Sequence, residues 1–186
     1  MALSKFSEDV KNTIVSLIKG ADDIVSALRS AVKNQVTGSL KDVGDATSAT
    51  LDTVSDIVGG AILGAKDVGL TVMDAVKDSV SSAISGVSEV GGDVMTASVK
   101  AVSGAVNGAA GVGSDVGQAA VTAIESAMES AGKLGKDTTE VAKETSLGAV
   151  KTARELGEEA EKTVREALLS AVSLPRDVIE AALKGK

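Results

Sequence analysis

The chain contains no cysteine, histidine, tryptophan or tyrosine, and only one phenylalanine (Phe6) and one proline (Pro175) among 186 residues. Without histidine it lacks the usual general base and the commonest metal ligand. Without cysteine it has no disulfide, no thiolate nucleophile and none of the common zinc sites. Catalytic, cofactor-binding and metal-ligating residues are therefore expected to be absent, and the chain reads as a non-enzyme. The near-absence of aromatics means that a core must be assembled from Val, Ile, Leu and Ala, without the large buried areas that rings supply. Basic charge is also in deficit: 19 Lys and Arg stand against 26 Asp and Glu, a net charge of -7. That balance opposes nucleic-acid binding, which needs a basic footprint.

Long uncharged apolar runs are missing too, so no membrane-spanning helix is expected. The opening stretch MALSKFSEDVKNTIVSLIKG carries Glu8, Asp9 and Lys11 where the apolar core of a signal peptide would lie, and a cytoplasmic location is the default expectation. Gly108–Gly113 is glycine-rich but has no following Gly-Lys-Ser/Thr and no preceding strand, which excludes a phosphate-binding loop.

What is present is a repeat. From Val68 the sequence divides into 22-residue blocks that open Val68-Gly69, Val90-Gly91, Val112-Gly113, Leu134-Gly135 and Leu156-Gly157. Each block is two units of 11. Counted modulo 11, positions 2, 3, 6, 7 and 10 give 85 slots, and only Arg29, Glu161 and Lys186 among them are charged. Random placement would put about 21 charges there. An apolar seam at 3.67 residues per turn is the hendecad period, which stays on one side of a nearly straight α-helix.

The phase holds from Leu3 to Leu183. Unbroken phase predicts an all-α chain built as one long, nearly straight hendecad helix over residues 1–174. Pro175 then introduces a kink, and a short C-terminal helix occupies 175–186. At about 1.5 Å per residue the rod would be roughly 260 Å long, packing with other copies into a bundle or filament. The alternative is an antiparallel helical bundle with turns at Gly59-Gly60, Gly91-Gly92, Gly108–Gly113 or Gly132–Gly135, since glycine punctuates helices. Charge is uneven: residues 94–132 carry four charged residues and 133–166 carry fifteen. The first zone invites association if it is left exposed.

Large and small residues alternate along the seam every 11 residues. Val68, Val90, Val112, Leu134 and Leu156 alternate with Ser79, Ala101, Ala123, Thr145 and Ala167. Gly69, Gly91, Gly113, Gly135 and Gly157 alternate with Val80, Val102, Ile124, Ser146 and Leu168. Val72, Val94 and Val116 alternate with Ala83, Ala105 and Ala127. Such complementarity suits interlocking with a second copy displaced by 11 residues, a Val of one facing a Gly of the other. The expected self-association residues are therefore Val68, Gly69, Val72, Val80, Val90, Gly91, Val94, Val102, Val112, Gly113, Val116, Ile124, Leu134, Gly135, Leu156 and Gly157. On this reading, Leu at Gly91 and Gly113 disrupts assembly. Gly60-x-x-x-Gly64, Gly104-x-x-x-Gly108 and Gly113-x-x-x-Gly117 have the small-xxx-small form of close helix crossings.

The 11- and 22-residue repeats, with the short steps Val10-Lys11-Asn12, Val32-Lys33-Asn34 and Val76-Lys77-Asp78, resemble exchangeable apolipoproteins, synucleins and late-embryogenesis-abundant proteins. That resemblance implies a coat on a lipid surface or folding on drying. A similar resemblance to hendecad coiled-coil proteins implies a rod or scaffold. The expectation is a non-enzymatic structural or scaffold protein that self-assembles as a homo-oligomer. The alternative is an amphipathic helix coating a membrane, lipid droplet or storage granule.

Overall fold

The computed structural model describes residues 5–41 and 48–184, and among them nine α-helices. They are α1 Lys5–Ile18, α2 Ile24–Lys41, α3 Ser48–Ala65, α4 Val72–Glu89, α5 Val94–Gly111, α6 Val116–Lys133, α7 Thr138–Leu156, α8 Glu158–Ser170 and α9 Arg176–Lys184. The single rod over 1–174 is not formed, and the longest helix among the described residues has 19 residues. The helical-bundle alternative is the one observed. Of the expected turns, those at Gly91-Gly92, Gly113 and Gly135 occur, whereas Gly59-Gly60 lies buried inside α3.

The phase survives folding for an arithmetical reason. An 18-residue helix and a four-residue turn together fill one 22-residue block, so counting modulo 11 never slips across the turns between α4, α5, α6 and α7. Each of those turns is written in four residues. At Val90-Gly91-Gly92-Asp93, Gly91 adopts φ 74°, its N–H donates to the Ser88 carbonyl at 3.1 Å, and the Gly92 N–H donates to the Val87 carbonyl at 2.9 Å. This left-handed cap satisfies the last carbonyls of α4. Asp93 then accepts from the Met95 N–H at 3.0 Å and caps the first turn of α5. Val112-Gly113-Ser114-Asp115 and Leu134-Gly135-Lys136-Asp137 repeat the device, with Asp115 accepting from Gln118 N–H and Asp137 from Thr139 N–H.

Every helix packs against its chain neighbour and against the helix after that. Odd-numbered helices make one layer and even-numbered helices the other. Helices within a layer run parallel, as the contacts show. Ser7 donates to Asp56, Arg29 to Asp78 and the Thr122 hydroxyl to the Met73 sulfur, each pair 49 residues apart. A constant separation of two blocks plus five residues is what parallel, regularly stacked helices produce, and the architecture is a two-layer solenoid.

The buried hydrophobic side chains are all aliphatic. Val76, Val80, Ile84, Ala101, Val102, Ala105, Ile124 and Ala127 are fully buried, and each Val or Ile so buried stabilises by roughly 1.5–3 kcal/mol before entropy is counted. Short side chains on α3 and α5 bring those helices close. A Cβ built on Gly104 would strike the carbonyl oxygen, Cα and carbonyl carbon of Ser55, and one on Gly108 would lie 2.9 Å from Ile62 Cβ. Gly60 meets the Ser7 carbonyl in the same way, at 2.7 Å. Two of the three small-xxx-small motifs thus mark true crossings. In the third, Gly117 meets Ala167 but Gly113 belongs to a turn.

The uneven charge follows the number of neighbours. The sparsely charged zone 94–132 is α5 and α6, at the centre of the stack and covered on several sides, while the charged zone is α7 and α8, nearer its end. Gly60 and Gly64 of α3 face α1, and the residues 44 earlier, Ser16 and Gly20, are exposed.

Two hydroxyls, Ser79 Oγ and Ser146 Oγ, are buried with no hydrogen-bond partner. Residues 101 and 123, which occupy the Ser79 slot in the next two blocks, are Ala. Ser79→Ala is therefore expected to stabilise the fold by about 1 kcal/mol, since an unsatisfied buried hydroxyl costs about that or more. A urea denaturation curve measures it, and an unchanged or lower midpoint contradicts the assignment.

Candidate functional site

The sixteen seam residues do not form one exposed surface. Val80, Val94, Val102 and Ile124 lie in the chain's own core, and Val68, Val72, Val90, Val112, Val116 and Leu156 are half-buried beside the turns. Leu134, at the end of α6, is exposed. Gly69, Gly91, Gly113, Gly135 and Gly157 all have positive φ, and a Cβ added to any of them meets nothing within 4 Å. These glycines stand at the turns, not inside an unbroken helix, and the single chain leaves the space beside them open. The large/small alternation has the same origin. One half of each block crosses the middle of a helix, where Ala101, Ala105, Ala123 and Ala127 permit close packing, and the other half forms the turn. The signal that identifies three of the turns in sequence is the Asp two residues after Gly91, Gly113 and Gly135 (Asp93, Asp115, Asp137), a stop followed at once by a start.

Charge enters the seam at Arg29 and Glu161, while Lys186 lies outside the described residues. Both described exceptions organise polar sites. Arg29 on α2 donates through Nε to Asp78 Oδ1 at 2.8 Å, and its terminal nitrogen stands 2.7 Å from the same oxygen. Asp78 on α4 is 6% exposed, so this ion pair is sheltered on its acidic side. It borders a shallow groove of about 480 Å³ on the even-numbered layer, lined also by Lys33, Lys77, Lys133, Ser81 and Glu129.

Glu161 on α8 is the hub of a second site. In this block the four-residue turn is dropped: α7 ends at Leu156 and α8 begins at Glu158, with only Gly157 between them. The sharp junction brings Arg154 across to Glu161, with Nε to Oε2 at 3.0 Å and Nη2 to Oε1 at 2.9 Å, while Arg165 Nε reaches Oε1 at 2.9 Å. Hydrogen bonds from Arg154 and then Arg165 hold the Glu161 carboxyl down at about 2. A carboxyl whose folded pKa is depressed contributes stability above its unfolded value, and loses that contribution as pH falls through the folded one. The α7–α8 junction is therefore expected to hold at pH 5 and to loosen between about pH 4.5 and pH 2. Carboxyl chemical shifts measured by NMR check this; a Glu161 titration near the ordinary Glu value would contradict the network.

Beside this hub, α7, α8 and α9 enclose a cleft of about 420 Å³ lined by Leu147, Val150, Lys151, Arg154, Arg165, Ala182 and Leu183. Arg165 also points Nη1 toward the Leu183 carbonyl at 3.5 Å, tying α8 to α9. Sequence reading singles out Arg29 and Glu161 as exceptions but not their partners Asp78, Arg154 and Arg165, because those occupy ordinary polar positions. Among the described residues, no group of three or more acidic side chains is placed to hold a metal ion, and no helix is long and apolar enough to cross a membrane. No protein-family model matches the chain, and no curated protein matches its sequence.

Proposed function

We propose that the chain is a non-enzymatic structural or scaffold protein whose working part is the repeat itself. One observation carries this reading: successive helices meet through equivalent contacts, as in the ladder of pairs 49 residues apart from Ser7–Asp56 through Arg29–Asp78 to Met73–Thr122. Equivalent interfaces are interchangeable. A hairpin from one copy fits the slot that its own equivalent occupies in another, so copies assemble into homo-oligomers by exchanging helices through the Val/Ala/Gly seam. Assembly of this kind keeps the helix content and the turns of the single chain. The test is light scattering coupled to size exclusion after refolding at rising protein concentration. A graded series of oligomers with unchanged circular dichroism supports the proposal, and a monomer at every concentration refutes the self-assembly.

A second reading, an amphipathic coat on a membrane, lipid droplet or storage granule, draws on the exposed Leu147, Leu169 and Val172 toward the C-terminal end. Flotation with phosphatidylcholine vesicles separates the two readings. Protein that floats, with its helices released from one another, favours the coat, while protein left at the bottom of the gradient favours the scaffold.

A further inference from the structure

We propose that the cleft between α7, α8 and α9 binds one molecule of a single-chain carboxylate amphiphile, of the fatty-carboxylate class. This site is independent of the scaffold role and rests on the cleft alone. Its lining has two chemistries side by side. Leu147, Val150, Ala182 and Leu183 supply an aliphatic floor, with Val150 and Ala182 buried and Leu147 left partly open to solvent. Lys151, Arg154 and Arg165 stand around it as cations.

Three cations and no acid line the cleft. Glu161 serves both arginines, and Lys151, which also lines the neighbouring groove with Asp52, Asp56 and Glu155, makes no ion pair among the described residues. In a chain of net charge -7 this is a local surplus of positive charge. The arginines are also held in place: Glu161 takes both Arg154 Nε and Nη2 but only Nε of Arg165, so N–H donors remain on each guanidinium. A fixed guanidinium with free donors is suited to a planar carboxylate.

The rest of the ligand follows from the lining. The aliphatic floor disfavours a polyphosphate, whose charged oxygens would lose their water against apolar surface without compensation. The absence of aromatic side chains from the cleft removes the stacking partner that a nucleobase would use. A cleft of about 420 Å³ lies within the range of small-molecule sites and accommodates a single acyl chain, not a bilayer. The headgroup lies at Lys151 and Arg154, and the chain runs along Leu147, Val150 and Leu183.

Titration of the full chain with sodium octanoate, decanoate and dodecanoate, kept below micelle formation, tests this by calorimetry and by amide NMR shifts. The expected result is one-to-one binding with shifts at Leu147, Val150 and Leu183, tightening about two- to fourfold for each added methylene that is buried. Lys151→Gln, on an exposed side chain, is expected to weaken decanoate about fivefold without changing thermal unfolding. Decyltrimethylammonium, with the same chain and the opposite charge, is expected to bind at least tenfold more weakly. Equal binding of the two decyl compounds, indifference to Lys151→Gln, or binding only to vesicles that contain fatty acid would each overturn the proposal.

Discussion

Gly104→Ala is expected to cost about 3 kcal/mol, and its melting temperature to fall by roughly 6–12 °C. The new methyl would strike the Ser55 backbone where α5 crosses α3, and backbone cannot rotate aside as a side-chain tip can. Gly59, which faces the Gly104 carbonyl and whose own carbonyl meets Gly108, leaves no slack on the same surface. The helices must separate, and the contacts of Val58, Ile62, Ala101 and Ala105 loosen with them. Gly91→Ala makes the informative contrast. Its Cβ enters open space, and its cost is only the backbone strain of a non-glycine residue at φ 74°, about 1–2 kcal/mol. Urea denaturation of the two variants measures both. Equal costs would mean that the α3–α5 crossing is not as close as described.

Arg29→Met is the second large effect. It leaves the Asp78 carboxylate, almost fully buried on α4, without its partner. Breaking a fully buried pair costs about 3–5 kcal/mol. Because the Arg29 side chain is 57% exposed, solvent screens part of that, and about 2 kcal/mol is expected. The double replacement Arg29→Met with Asp78→Leu is expected to recover most of the loss, because removing both charges leaves no buried charge unpaired. A double-mutant cycle measures the coupling. If the double variant were as unstable as the sum of the single ones, the two residues would not be acting on each other.

The sequence shows the helical class, the seam and the repeat length directly, because charge avoids the seam wherever helices pack. The slots at positions 76, 80, 84, 102 and 124 are the core residues found in the fold. Whether those slots served one rod or many short helices depended on the block openings. Val90-Gly91 reads as knob and hollow if only helical phase is counted. It reads as a helix end once Asp93 is seen to cap the next one. Periodicity alone could not separate the two, since helix and turn together fill a whole block. The polar sites were half visible. Arg29 and Glu161 stand out as charges in apolar slots, whereas Asp78, Arg154 and Arg165 become special only when folding sets them opposite those charges. The C-terminal cleft was invisible because it depends on the shortened junction at Gly157, which changes where α8 and α9 fall relative to α7.

Small-angle X-ray scattering of the monomer tests most directly whether the repeat folds back on itself. A two-layer stack of 186 residues predicts a radius of gyration of about 16–22 Å, near the compact-domain scaling. A single extended helix of the same chain would give about 75 Å, from its rise per residue. A value in the first range, unchanged on dilution, is what the folded solenoid requires. A value approaching the second would show that the seam runs along a rod and that the turns at Gly91, Gly113 and Gly135 do not form.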